Sequence, residues 1–272
     1  MDLTEKYQQL KRSLAEFESV VVAFSGGVDS TFLLRVASEV LGPEKVLALT
    51  ATSPTYPQFE FEQSQKLARE IGVEQLVIES NELEIPGFAE NSPQRCYHCK
   101  HELFSRCLQQ AEEFGYQTVL DGSNLDDLND YRPGRDAIKQ LRVSSPLLDA
   151  GLGKADIRQL SKQLGLPTWD KQPFACLSSR FPYGTRITVA RLQQVDRCES
   201  WLREQGFSSY RVRYHQQLAR IEVAPAEISR LLDDELRQQL VDEFKHAGFA
   251  YVTLDLQGYR TGSMNETLPE TD

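Results

Sequence analysis

Residues 20–31 read "VVVAFSGGVDST", and this stretch constrains the fold more than any other. A short run that is apolar at every position has to be covered on both faces, as a strand in a parallel sheet is. The run ends in Gly26 and Gly27, where a backbone without side chains can come close to an anion. The apolar-periodic "TFLLRVASEVLG" then predicts a helix closing at Gly42. The start of that helix offers unpaired N–H groups and the positive end of its dipole. Ser25 and Ser30 add hydroxyl donors. Asp29 cannot bind phosphate itself and is suited to help hold magnesium or to orient the loop. The G-x-x-x-x-G-K-[ST] spacing is absent, so this is not a Walker loop. A plain strand–turn–helix connection has no packing use for two serines and an acid around a glycine pair.

The pattern repeats downstream. "KVLALTA", "EQLVIES" and "QTVLDGS" read as strands, and "PQFEFEQSQKLAREIG", "KHELFSRCLQQAEEFG" and "GKADIRQLSKQLGLP" as helices between and after them. Strands alternating with helices at this spacing predict an α/β fold with a doubly wound, mostly parallel sheet. After "FPYGTR" the character changes. A long amphipathic helix ("TVARLQQVDRCESWLREQGF"), two paired strands ("SSYRVRYH", "LARIEVA"), a helix ("AEISRLLDDELRQQLVDEFKHAG") and a last strand ("FAYVTLDLQGYR") predict a small α+β domain. The boundary falls near residues 176–187, dividing the chain into 1–180 and 181–272. The polar tail "SMNETLPETD" is expected to fray.

The formal net charge of -10 argues against a protein whose main task is gripping nucleic acid, since such proteins carry a basic face. The N-terminus is charged, with no apolar signal segment, and no stretch approaches a membrane span. A cytoplasmic location is expected, where the five cysteines serve as thiols or metal ligands rather than disulfides. "RCYHCK" carries Cys96 and Cys99. Zinc is one reading, with Cys96, Cys99, Cys176 and His98 or His101 as ligands, but no second C-x-x-C or H-x₃₋₅-H closes such a site. A thioredoxin-like dithiol is disfavoured because the motif does not open the helix of a thioredoxin pattern. Two core thiols are disfavoured by the polar neighbours Arg95, His98 and Lys100. Cys107 and Cys198 fall inside helices and read as packing residues. Cys176 lies in the turn-rich "PFACLSSR" near the domain junction, where a cleft is expected. Lys171 and Arg180 nearby would favour its thiolate. In "YRVRYH", Arg211 and Arg213 share one strand face. Paired guanidiniums suit a phosphate or carboxylate, and Arg260 in "GYRTG" is placed to join them.

"SGGVDS" after an apolar strand resembles the pyrophosphate-binding loop of the PP-loop ATPases, which adenylate a substrate with release of pyrophosphate and let a nucleophile displace AMP. "RCYHCKHELF", "DGSNLDDLNDYRPG", "SPLLDAGLGKADIR", "WDKQPFACLSSRFPYG", "YRVRYHQQLARIEV" and "GYRTGSMNE" together resemble the LarE family over roughly residues 15–265 of the chain. One departure is Ser123, where the family usually has Thr; the hydroxyl is kept.

The resemblance implies an ATP-dependent sulfur-inserting enzyme. Its substrate would be pyridinium-3,5-biscarboxylic acid mononucleotide, converted to the bis-thiocarboxylic acid on the way to the nickel-pincer nucleotide of lactate racemase. It implies that Ser25, Gly26, Gly27, Asp29 and Ser30 hold ATP with Mg2+. Arg211, Arg213 and Arg260 would anchor the substrate phosphate, and Glu199 and Glu222 match acidic positions that bind a divalent metal. One branch of the family sacrifices the single cysteine matching Cys176, and another holds a [4Fe–4S] cluster with three. Cys96, Cys99 and Cys176 match the second. A sulfide source and a homo-oligomer, as a hexamer, are implied as partners. The alternatives are sacrificial sulfur donation from Cys176, a PP-loop tRNA thiolase, and a nucleotide- or redox-sensing module without turnover.

Overall fold

A computed structural model describes residues 1–129, 134–172, 175–260 and 263. The tail beyond Ser263, the "TG" of "GYRTG" and the "DYRP" of the acidic motif lie outside the described residues. The chain divides into two compact units, Met1–Phe88 with Gln94–Phe174, and Ala89–Pro93 with the chain from Ala175 onward.

The first unit holds α1 (Leu3–Ala15), β1 (Val20–Ala23), α2 (Val28–Leu41), β2 (Val46–Thr52), α3 (Gln58–Ile71), β3 (Glu74–Glu79), α4 (Arg95–Phe114), β4 (Thr118–Leu120), α5 (Gly134–Gln140), α6 (Pro146–Asp149) and α7 (Lys154–Gln163). Its sheet runs β3-β2-β1-β4 with parallel pairing throughout, Val20 facing Val46 on one side and Thr118 on the other. The two-residue period of the strands divides their side chains between two cores. Val20, Val22 and Ala48 pack with Leu10 and Leu14 of α1, Phe32 of α2, Leu67 of α3 and Ile157 of α7. Val21, Leu47 and Leu49 pack on the other face with Phe104, Cys107 and Ala111 of α4 and Ile138 of α5. This is the doubly wound arrangement expected, with β3 as a partly exposed edge.

The second unit holds α8 (Val189–Glu204), β5 (Tyr210–His215), β6 (Leu218–Val223), α9 (Asp234–His246) and β7 (Tyr251–Leu254). β5 and β6 form an antiparallel hairpin, and β7 joins β6 in parallel. Its buried side chains include Leu192, Val195, Cys198 and Leu202 of α8, Val212 and Ile221 of the sheet, and Phe244 of α9.

Two local expectations are corrected. The helix predicted from "KHELF" begins earlier, so that Cys96 and Cys99 lie within the first five residues of α4. Gln94 precedes it with no side-chain cap and no acid follows in the first turn, so the usual start signal is missing from the sequence. The helix predicted over "AEISRLLDDELRQQ" is broken. Pro225–Leu232 is a 3₁₀ stretch, and Asp233 is extended, its carboxylate accepting from the Leu236 amide at 3.0 Å to start α9. Residues 89–93 belong with the second unit, where buried Asn91 donates its side-chain amide to the carbonyls of Phe181 (3.2 Å) and Pro182 (2.8 Å). Among the described residues no helix is long and apolar enough to cross a membrane.

Candidate functional site

β1 delivers the chain to the carboxyl edge of the sheet, and Ser25–Gly27 turn it into α2. Gly26 has φ +65°, and a Cβ there would stand 3.1 Å from Ser64, so both conformation and space demand glycine. The Ser25 and Ser30 hydroxyls face each other at 3.2 Å, and Ser30 Oγ also accepts from the Ser25 amide at 3.3 Å. Gly27 is the N-cap of α2 with no side-chain cap, which leaves the first-turn N–H groups directed out of the helix end. Gly122, in the loop after β4, packs so closely on this end that a Cβ would come within 3.2 Å of the Ser30 nitrogen. The next loop is fixed by buried Asp121, which accepts from Ser123 and Ser145 hydroxyls at 2.5 Å each.

Asp29 has one oxygen paired with Lys154 Nζ at the start of α7, while its Oδ1 is buried without a hydrogen-bond partner among the described residues. Burial raises its pKa, opposed by Lys154 and assisted by the nearby charge of Asp127. An orphaned carboxylate oxygen beside a helix N-terminus fits the donor chemistry of magnesium. Lys171 is the second cation at the loop. Its Nζ donates to the Gly26 carbonyl at 3.1 Å and to Glu60 at 2.5 Å. Sequence reading assigned Lys171 to Cys176; here it is committed to the phosphate loop. Lys154 was missed altogether, although the Gly-Lys pair opening "GKADIR" carries the signal of a cation at a helix start.

None of the five cysteines is in a disulfide. Cys107 and Cys198 are buried, and burial pushes the Cys107 thiol up to about 12 and the Cys198 thiol higher still, which suits packing rather than reactivity. Cys96 is exposed and Cys99 half-buried, three residues apart on one helix face. Cys176 is half-buried in the second unit. Cysteine sulfur is a soft donor of the kind that iron–sulfur clusters take. Among the described residues no trio of His, Cys, Asp or Glu is gathered for a metal.

In the second unit Arg180 forms a bidentate pair with Glu199 at 2.8 Å twice, and donates to the carbonyls of Ala175 (3.0 Å) and Cys176 (3.3 Å). Glu199 also accepts from the Val212 amide at 2.9 Å. Arg213 pairs with fully buried Glu222 at 3.0 and 2.8 Å, and Glu222 takes Arg220 (3.1 Å) and the Ser263 hydroxyl (3.0 Å) as well. The two glutamates read as metal-binding positions thus meet guanidiniums here. Arg211 stacks over the Tyr259 ring at 5.0 Å. Its pKa is lowered, first by burial and then by the charge of Arg180. Arg260 lies 3.7 Å from Asp255. Arg180 and Arg213 thus meet Glu199 and Glu222 in this cluster, and Arg220 reaches both Glu222 and, at 3.8 Å, Asp255.

The parallel sheet, the glycine turn and the uncapped helix end define a nucleotide-binding α/β protein of the PP-loop class. The NAD synthase family matches residues 4–109. An uncharacterized protein of Synechocystis is 44% identical, covering 98% of this chain and 99% of its own length. The pyridinium-3,5-bisthiocarboxylic acid mononucleotide synthase of Lactiplantibacillus plantarum is 40% identical, covering 98% of this chain and 96% of that protein. An uncharacterized protein of Methanocaldococcus jannaschii is 29% identical, covering 96% of this chain and all of its own length. The chain belongs to the LarE family of ATP-dependent sulfur-inserting enzymes.

Proposed function

We propose that this chain uses ATP to adenylate the carboxylates of pyridinium-3,5-biscarboxylic acid mononucleotide and replaces the activated oxygen with sulfur, giving the bis-thiocarboxylic acid used in nickel-pincer nucleotide synthesis. The observation that carries the reading is the phosphate loop, whose glycine turn, facing serines and orphaned Asp29 oxygen suit a magnesium polyphosphate. A carboxylate resists nucleophiles because it is anionic and lacks a leaving group. Attack of its oxygen on the α-phosphorus of ATP expels pyrophosphate and leaves an acyl adenylate, from which a sulfur nucleophile then displaces AMP. Ser25, Gly26, Gly27 and Ser30 bind and orient the departing phosphates through N–H and O–H dipoles. Asp29 would hold magnesium, which when bound offsets the phosphate charge. The planar forks of Arg211, Arg213 and Arg260, whose geometry matches a phosphate, support these arginines as the anchor for the substrate's phosphate.

Cys96, Cys99 and Cys176 would hold a [4Fe–4S] cluster, which when bound supplies an exchangeable sulfide refilled from inorganic sulfide or a sulfur donor. The soft sulfur donors of the three side chains support this. In this reading the second unit serves substrate binding and oligomer contacts in a cytoplasmic homo-oligomer, as a hexamer. The decisive experiment incubates anaerobic protein with ATP, magnesium, sulfide and the pyridinium substrate, and weighs the product. Many sulfur-containing products per chain are expected, and single turnover in Cys96→Ala or Cys99→Ala. One product per chain with Cys176 desulfurised would replace the cluster with sacrificial donation.

A further inference from the structure

Between the phosphate loop and the dithiol turn runs a series of side-chain and main-chain hydrogen bonds inside the first unit. Tyr56 Oη donates to the Ser25 carbonyl at 2.9 Å. Burial pushes the Tyr56 phenol well above its ordinary value, with Glu60 adding to the effect, so it stays a neutral donor. The Tyr56 amide returns to the Ser53 carbonyl at 3.0 Å, and the Thr55 amide to the Ser53 hydroxyl at 3.2 Å, making a compact turn after β2. Both hydroxyls of that turn reach the same carboxylate oxygen, Ser53 Oγ at 2.9 Å from Glu82 Oε2 and Thr55 Oγ1 on the same atom. The other oxygen of Glu82 accepts from Cys99 Sγ at 3.1 Å. Thr55 is buried, so its hydroxyl has little water to turn to in place of Glu82.

We propose that Glu82 is a positioning residue that couples occupancy of the nucleotide loop to the placement of Cys99. A carboxylate is the side chain the junction requires. It accepts on both oxygens with more than one bond each, whereas a glutamine presents one acceptor and one donor. Glu82 lies in a short 3₁₀ turn, Glu82–Glu84, after β3, and the Ser80 amide bonded to the Thr52 carbonyl at 2.8 Å fixes the approach of that turn to β2. A nucleotide whose phosphates settle on Ser25–Ser30 moves or stiffens the Ser25 carbonyl. Tyr56 and the Ser53–Thr55 turn then carry that change to Glu82 and the thiol. This inference rests on the reading of the loop as an ATP site.

The test uses the full-length, reduced chain without metal and measures iodoacetamide alkylation of Cys99 by peptide mass, with Cys96 as an internal reference. Saturating ATP with magnesium is expected to slow Cys99 relative to Cys96 by about fivefold or more, the usual lower range of coupling between sites. In Glu82→Ala and in Tyr56→Phe the ratio should return to about one, and Glu82→Gln should keep part of the effect. Tyr56→Phe breaks the far end of the series while leaving Glu82 in place, so it stands even where Glu82→Ala folds poorly. Calorimetry in parallel reports ATP binding. An unchanged Cys99 rate in wild-type protein that binds ATP overturns the proposal alone, as does an equal response in Glu82→Ala. Absence of ATP binding overturns the loop reading and the proposal together.

Discussion

The phosphate loop of the first unit and the arginine cluster of the second bury charge in opposite ways. The loop relies on neutral dipoles at a helix end and leaves a carboxylate oxygen of Asp29 without a hydrogen-bond partner among the described residues. The cluster closes on itself, with Glu199 and Glu222 each held by a bidentate guanidinium. The loop is therefore a site that a ligand completes, while the carboxylates of Glu199 and Glu222 are already satisfied within the protein. Substitutions in the loop should be read in ligand affinity, and those at the two glutamates in folding stability.

The largest effect is expected at Glu222. Glu222→Ala strands buried Arg213 without its partner and should cost about 3–5 kcal/mol in urea unfolding; a loss below 1 kcal/mol would mean that water or another acid takes over the guanidinium. Gly26→Ala places a side chain at φ +65° against Ser64 and should cost about 1–3 kcal/mol, together with a clear loss of ATP affinity by calorimetry. Asp29→Asn sharpens the contrast. It should weaken magnesium-dependent ATP binding about tenfold while leaving stability at neutral pH unchanged or improved. Burial raises the Asp29 pKa, so the stability this position contributes is present below its unfolded value and lost as pH rises through the folded one. Asp156 runs the other way and is the smallest effect. Burial opposes its charge, but bonds from Lys6 and the Gly153 amide hold its pKa below the ordinary value. Its contribution is present above the unfolded value and lost as pH falls through the folded one. Asp156→Asn should cost under about 1 kcal/mol at neutral pH and nothing measurable in strong acid.

The same contrast explains what could be read from sequence. Strand β1 and its glycine turn were legible because "VVVAFSGG" encodes burial and turn within a few neighbouring residues. Cys96 and Cys99 were recognised by spacing, but their place inside α4 was hidden, since the helix opens without a cap. Lys154, Lys171 and Glu82 were not assigned to the loop or the dithiol. Their partners Asp29, Gly26, Ser53 and Cys99 lie far along the chain, and no local pattern announces a contact made by topology. Glu199 and Glu222 were read as metal-binding positions, and the arginines that hold them are visible only once α8, β5 and β6 are assembled.

The central claim is that carboxylate activation belongs to the phosphate loop and sulfur delivery to the cysteines. Substrate-dependent exchange of labelled pyrophosphate into ATP, measured in wild-type protein and in Cys176→Ala, separates the two most directly. The account predicts comparable exchange in both, with thiocarboxylate product from the wild type alone. Exchange absent from both, or sulfur-containing product from Cys176→Ala, would contradict it.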